Sequence, residues 1–93
     1  MTAEKLKIVK EKMIRIAELL DLGGRTDWSS SVYHLAYVLE EEPVDTKYKI
    51  LRLYGGMGSL NDIVIYQKGN ILIPETNELD KLRTEVYDLV YST

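Results

Sequence analysis

Cysteine and phenylalanine are absent from this 93-residue chain, and histidine and tryptophan occur once each. Without cysteine, disulfide staples and thiolate metal sites are excluded, and a reducing compartment takes nothing from the fold. A single histidine cannot build a metal site of several imidazoles. No apolar run approaches the roughly 18 residues of a membrane span. The opening Met1-Thr2-Ala3-Glu4-Lys5 is charged at once and leads straight into a helical pattern, so no signal peptide is visible and the expected location is the cytoplasm. No membrane partner is expected. A basic excess is lacking too: the net charge is −3, which argues against nucleic acid, where a basic face supplies most of the affinity.

What is present describes an ordinary folded domain. The chain is 45% hydrophobic and 29% charged, which argues against disorder. Its length suits one domain, residues 1–93, with an expected radius of gyration of about 12 Å. The charge is uneven: residues 1–25 hold six bases and four acids, residues 26–54 three and five, and residues 55–93 three and six. A basic protein is the partner class such a balance favours.

Periodicity predicts most of the elements. Leu6, Val9, Met13, Ile16, Ala17 and Leu20 recur at helical spacing from Thr2 to Leu22, with Thr2 as N-cap and Gly23-Gly24 as stop. A second helix is expected from Asp27 to Glu41 or Glu42, capped by Thr26 or Asp27. Its apolar stripe is Trp28, Val32, Leu35, Ala36 and Leu39. Tyr33 and Tyr37 point almost the opposite way, so this helix is sandwiched between layers or shows two tyrosines to a partner. Val44–Tyr54 reads as a largely buried helix stopped by Gly55-Gly56, with a strand as the alternative. Ile63–Tyr66 and Ile71–Ile73 are β-branched runs joined through Lys68-Gly69-Asn70, a hairpin by composition, with Pro74 ending the second strand. A last helix is expected from Asn77 to Tyr91. The predicted class is α+β and mostly helical: three helices, a two-stranded hairpin and a C-terminal helix.

The segment Gly55-Gly56-Met57-Gly58-Ser59-Leu60-Asn61-Asp62 holds three of the six glycines within four positions. Such a loop could hold an anion on its amides. Its order is helix-to-strand, however, and it matches neither the Walker nor the dinucleotide spacing. Its ordinary role is a helix stop and tight connection. Asn61 and Asp62 are either recognition groups at a strand mouth or turn-makers that bond local backbone. His34 stands without a nucleophile or carboxylate pattern, so no catalytic triad is read here.

Glu40, Glu41, Glu42 and Asp45 put four acids within six positions. They lack the loop spacing of a calcium site. A helix C-terminus disfavours acids, so this run is either a solvated end or a surface for an external basic partner. Seven tyrosines and one tryptophan make up the aromatics. Tyrosine suits an interface and equally the rim of a small core.

The run Tyr54-Gly-Gly-Met-Gly-Ser-Leu-Asn-Asp-Ile-Val-Ile-Tyr66, with the turn and helix that follow, resembles a group of small bacterial domains of unknown function over about residues 47–92. The resemblance implies the element order and a bacterial cytoplasmic origin, and it carries no activity. By genre, small acidic cysteine-free bacterial proteins include immunity proteins, which neutralise a toxin domain by binding it. The expected function is therefore a non-enzymatic protein-binding module, an immunity protein for a basic toxin domain. The expected contact residues are Tyr33, Tyr37, Glu40, Glu41, Glu42, Asp45, Asn61 and Asp62, with no catalytic residue, metal or cofactor. The alternative is a small-molecule or anion-binding regulatory domain that uses the Gly55–Asp62 loop.

Overall fold

The first helix shows how closely local signals set the frame. In the computed structural model, which describes residues 1–55 and 58–92, α1 spans Ala3–Leu22. The Thr2 hydroxyl accepts the Lys5 N–H at 3.2 Å, as an N-cap should. At the other end Gly24 takes a φ of +75°. Arg25 N–H then reaches Leu20 O at 2.9 Å and Gly24 N–H reaches Asp21 O at 3.0 Å. This is a Schellman stop, and the left-handed residue at its centre favours glycine.

Among the described residues, α2 (Thr26–Val38) and α4 (Ile73–Tyr91) pack against α1, and α3 (Pro43–Arg52) packs against α2 and α4. Between α3 and α4 come a 3₁₀ turn (Leu60–Asp62) and two strands, β1 (Tyr66–Gln67) and β2 (Asn70–Ile71). Lys10 meets Glu40 and Ser29 meets Asp21, so α2 runs antiparallel to α1. Arg15 meets Glu78, Lys12 meets Glu85 and Lys5 meets Ser92, so α4 is antiparallel to α1 as well. The Cα radius of gyration is 12.8 Å, close to the expected value, with extents of 40 × 23 × 20 Å. One hydrophobic cluster runs through the helices and includes Val9, Ile16, Leu39, Ile50, Leu79 and Val90.

The α+β class holds in its coarse form: four helices and a small antiparallel sheet. Several finer expectations change. α2 stops at Val38, and Glu41 and Glu42 both direct their N–H groups to Val38 O in a turn. The residue at its N-cap position is Arg25, and neither Thr26 nor Asp27 caps it through a side chain. α3 is a helix and not a strand, but Val44 and Tyr48 are 71% and 57% exposed, and Thr46 and Ile50 face the core instead. Gly56 of the predicted Gly55-Gly56 stop, and Met57 after it, lie outside the described residues.

The hairpin is shorter than the β-branched runs suggested. Tyr66 pairs with Ile71 and Gln67 with Asn70. Lys68 and Gly69 have φ of +52° and +79°, so both central turn residues are left-handed, as a two-residue hairpin that follows the strand twist requires. Ile63 and Ile65 instead plunge into the helical core, 3% and 0% exposed. Ile65 N–H donates to Thr76 Oγ1 at 3.1 Å, and Ile65 O accepts from Leu72 N–H at 2.8 Å. The run Ile71-Leu72-Ile73 is divided: Ile71 stays in β2, Leu72 caps α4 and Ile73 opens it. Pro74 therefore begins a helix rather than ending a strand, because its fixed φ and missing N–H suit the first turn. α4 starts four residues ahead of the expected Asn77.

Ile65 also closes the far end of α1. A Cβ placed on Gly23 would lie 3.3 Å from two Ile65 side-chain carbons, so the glycine permits this approach. Ile65→Ala should therefore lower unfolding stability by about 2–5 kcal/mol, the usual range for truncating a buried isoleucine. Urea denaturation should show the midpoint moving with the m-value unchanged.

Candidate functional site

Arg83 is the residue on which the candidate site is built. It is 8% exposed, although it lies on an amphipathic helix whose inner stripe is Leu79, Val86 and Val90. Its Nη1 donates to Leu60 O and to Ile63 O, each at 3.0 Å. Its Nε and Nη2 donate to Asp80 Oδ1 at 3.1 and 2.9 Å. Neither carbonyl belongs to a sheet ladder, and the fork geometry of arginine lets one side chain serve both and a carboxylate together.

The residues before the 3₁₀ turn are fastened by the same neighbourhood. Leu60 N–H reaches back to Leu53 O at 2.9 Å. Tyr54 is half-buried and its hydroxyl donates to Arg83 O at 2.7 Å. Burial pushes the Tyr54 phenol well above the ordinary tyrosine range; the Arg83 charge works against that shift and the Asp88 carboxylate adds to it. Its ring meets Tyr87 edge-on, centroids 5.1 Å apart and planes at 62°. Tyr87 in turn stacks on Tyr91 at 5.5 Å with planes 10° apart. Tyr54, Asn61, Arg83, Thr84 and Tyr87 line an open cleft of about 280 Å³.

Asn61 and Asp62 thus belong to this region, with Asn61 in the cleft wall. Both also bond local backbone. Asp62 Oδ2 accepts the Gly58 N–H at 2.7 Å, and Asn61 Nδ2 points to Tyr54 O at 3.5 Å. Gly58 has a φ of +73°, a conformation that suits glycine. An anion seeking that amide would compete with a carboxylate already on it.

The other expected residues lie elsewhere, on α2 and the turn into α3. Tyr33 is half-buried against the core, and burial together with the Asp21 and Glu18 charges raises its phenol. Tyr37 is 57% exposed, with Lys10 Nζ 5.1 Å from its ring centroid. That same ammonium lies 2.9 Å from Glu40. Asp45 is paired with Lys49 at 3.1 Å, one helical turn along. Glu41 and Glu42 are exposed and take part in no ion pair among the described residues. The acidic run is therefore half neutralised by the chain itself. Tyr33 and Tyr37 do not act as a matched pair, since one packs inward and the other faces solvent.

His34 is exposed, and among the described residues no three His, Asp or Glu side chains converge on a metal position. The side chains missed by sequence reasoning are Tyr54, Arg83, Thr84, Tyr87 and Tyr91. For Arg83 a signal exists: it falls four residues after Leu79 and three before Val86, a charge on the buried face of a helix. A long cation there must be paired or bonded inside.

Comparison with protein families finds that the model of the Domain of unknown function (DUF6966) matches residues 21–73, more than half of the chain. The match runs from the last turn of α1 to the first residue of α4 and includes the glycine loop. No curated protein and no solved structure matches.

Two outcomes follow from this geometry. Arg83→Leu leaves Ile63 O without this donor and Leu60 O with only the long Ile63 N–H bond of 3.4 Å, and should cost about 3 kcal/mol, read by urea denaturation. Arg83→Lys should recover only part of it, because an ammonium lacks the fork. For Tyr54 the folded-state pKa is raised, so its contribution is complete below the ordinary value of 10.0 and is lost as pH climbs towards the folded value. Stability measured across the alkaline range should fall in the native chain, and this component of the decline should vanish in Tyr54→Phe.

Proposed function

We propose that this chain, which belongs to the DUF6966 family, is a non-enzymatic protein-binding module that holds a basic partner, as an immunity protein holds a toxin domain. The observation that carries the reading is the outward placement of tyrosine. Five of the seven are exposed: Tyr37, Tyr48, Tyr66, Tyr87 and Tyr91, from 36% to 68%. A semi-rigid ring with a polar tip loses little entropy on contact and tolerates water when free, which is why tyrosine concentrates at interfaces. Carboxylates supply the second element. Glu41 and Glu42 beside Tyr37, and Asp62 beside Asn61, offer negative charge that the fold does not itself consume.

Two patches follow from this reading. One is Tyr37 with Glu41 and Glu42 at the end of α2. The other is the tyrosine cleft with Asn61 and Asp62. A standard interface of about 800 Å² per partner holds roughly 20–30 residues, so each patch is a centre and not a whole surface. Charge of this kind speeds encounter and discriminates against acidic partners, while buried rings slow dissociation. The cytoplasm is the compartment we assign with this role, and a bacterial toxin domain is the partner class.

The test begins with the product of the gene immediately upstream. Co-expressed with this chain, it should co-purify at fixed stoichiometry and bind more weakly as salt rises. Tyr37→Ala combined with Glu41→Gln and Glu42→Gln should reduce affinity about tenfold or more at low salt, with a flatter salt dependence. Failure to recover any stoichiometric partner, from that gene or from the native bacterium, would sink the reading.

A further inference from the structure

The tyrosine cleft combines aromatic walls with anionic rims, and that combination selects a particular side chain. We infer that the cleft receives an arginine of the basic partner; the inference rests on the protein-binding reading and names the group that anchors it.

The walls come first. Tyr54 and Tyr87 line the cleft edge-on at 62°, and Tyr91, 68% exposed, stacks on Tyr87 within 10° and continues the aromatic surface beyond the lining. A guanidinium is planar and weakly hydrated and lies against such faces favourably. The rims come second. Asp88 lies one helical turn beyond the cleft-lining Thr84 on α4, so it falls on the same side of that helix, and it is exposed. It has no ion pair among the described residues. Asp62 gives one oxygen to Gly58 N–H and is otherwise exposed beside Asn61.

The cation already present does not fill this role. Arg83 is buried, with Nε and Nη2 turned to Asp80 and Nη1 to two carbonyls. Its charge is thus matched by Asp80, whereas Asp62 and Asp88 form no ion pair among the described residues. An anionic ligand would meet those two carboxylates. A neutral aromatic ligand would leave them unused. Lysine would bring the charge but not the plane, being a compact and strongly hydrated ammonium.

The experiment is an NMR titration of the full chain with two blocked tripeptides, acetyl-Gly-Arg-Gly-amide and acetyl-Gly-Lys-Gly-amide. The arginine peptide should give saturable shifts at Asn61, Thr84, Tyr87 and Tyr91 in the millimolar range, and the lysine peptide should bind several-fold more weakly. Asp88→Asn and Tyr91→Ala change exposed side chains and should each weaken arginine binding about fivefold while leaving the urea midpoint in place. Equal response to both peptides, shifts confined to Glu41 and Glu42, or no localised shift would overturn the inference. The two proposals also part company cleanly. If the peptide binds the cleft but no protein partner exists, the arginine site stands and the protein-binding reading fails. If a partner binds and neither variant changes its affinity, that reading stands and the arginine site is overturned.

Discussion

The guanidinium of Arg83 holds the second half of this molecule in place. The segment between α3 and α4 enters the core through Leu60, Ile63 and Ile65, all almost fully buried. A chain that crosses a core outside a helix or sheet must still satisfy its carbonyls, and water cannot reach these. Arg83 meets Leu60 O and Ile63 O from α4 and fixes its own charge on Asp80. The irregular segment is thereby tied to a rigid helix. Tyr54, bonded to the Arg83 carbonyl, is placed by the same clamp, and with it the wall of the cleft.

The second constraint is electrostatic sorting. By count, the first 25 residues are the basic part of the chain. In the fold their bases are directed to neighbours: Lys10 to Glu40, Lys12 to Glu85, and Arg15 to Glu78 by two nitrogens. The Arg15 contact holds the Glu78 carboxyl below its ordinary range, although burial opposes this. Such exposed pairs add little stability each. Their consequence is that three bases of α1 are matched by acids of other elements, while Glu41, Glu42, Asp62 and Asp88, like Glu4, Glu11 and Glu75, form no ion pair among the described residues.

The candidate site was legible in parts. The glycine-rich segment marked a connection of special shape, and Asn61, expected as a recognition group or a turn-maker, lines the cleft. Asp62 and Asn61 serve the local backbone as turn-makers do, which their residue types allow. Tyr87 and Tyr91 share a four-residue spacing that sequence displays, yet their stacking with each other and contact with Tyr54 join residues 33 positions apart. The acidic run was visible as a run. That Lys10 and Lys49 would neutralise two of its four members depended on the packing of α2 against α1 and on the turn of α3.

By itself the sequence determined α1 with both of its ends and the turn at Lys68-Gly69, since apolar spacing, Thr2, Gly24 and a two-residue turn act through neighbours a few positions away. It also determined the sign of the charge and the absence of thiol chemistry. Tertiary structure alone decided the fate of Ile63–Ile73. Their β-branched character favours extended backbone, which Ile63 and the strand residue Ile71 take and Ile73, the first residue of α4, does not; burial against helices directed the Ile65 hydrogen bonds to Thr76 and Leu72 and left only two residues per strand. It likewise decided which tyrosines face water, because periodicity gives the direction of a side chain and not what covers it. A local code can announce a helix or a turn. Whether a carbonyl, a ring or a carboxylate is satisfied depends on a residue far along the chain, as Leu60 and Ile63 depend on Arg83.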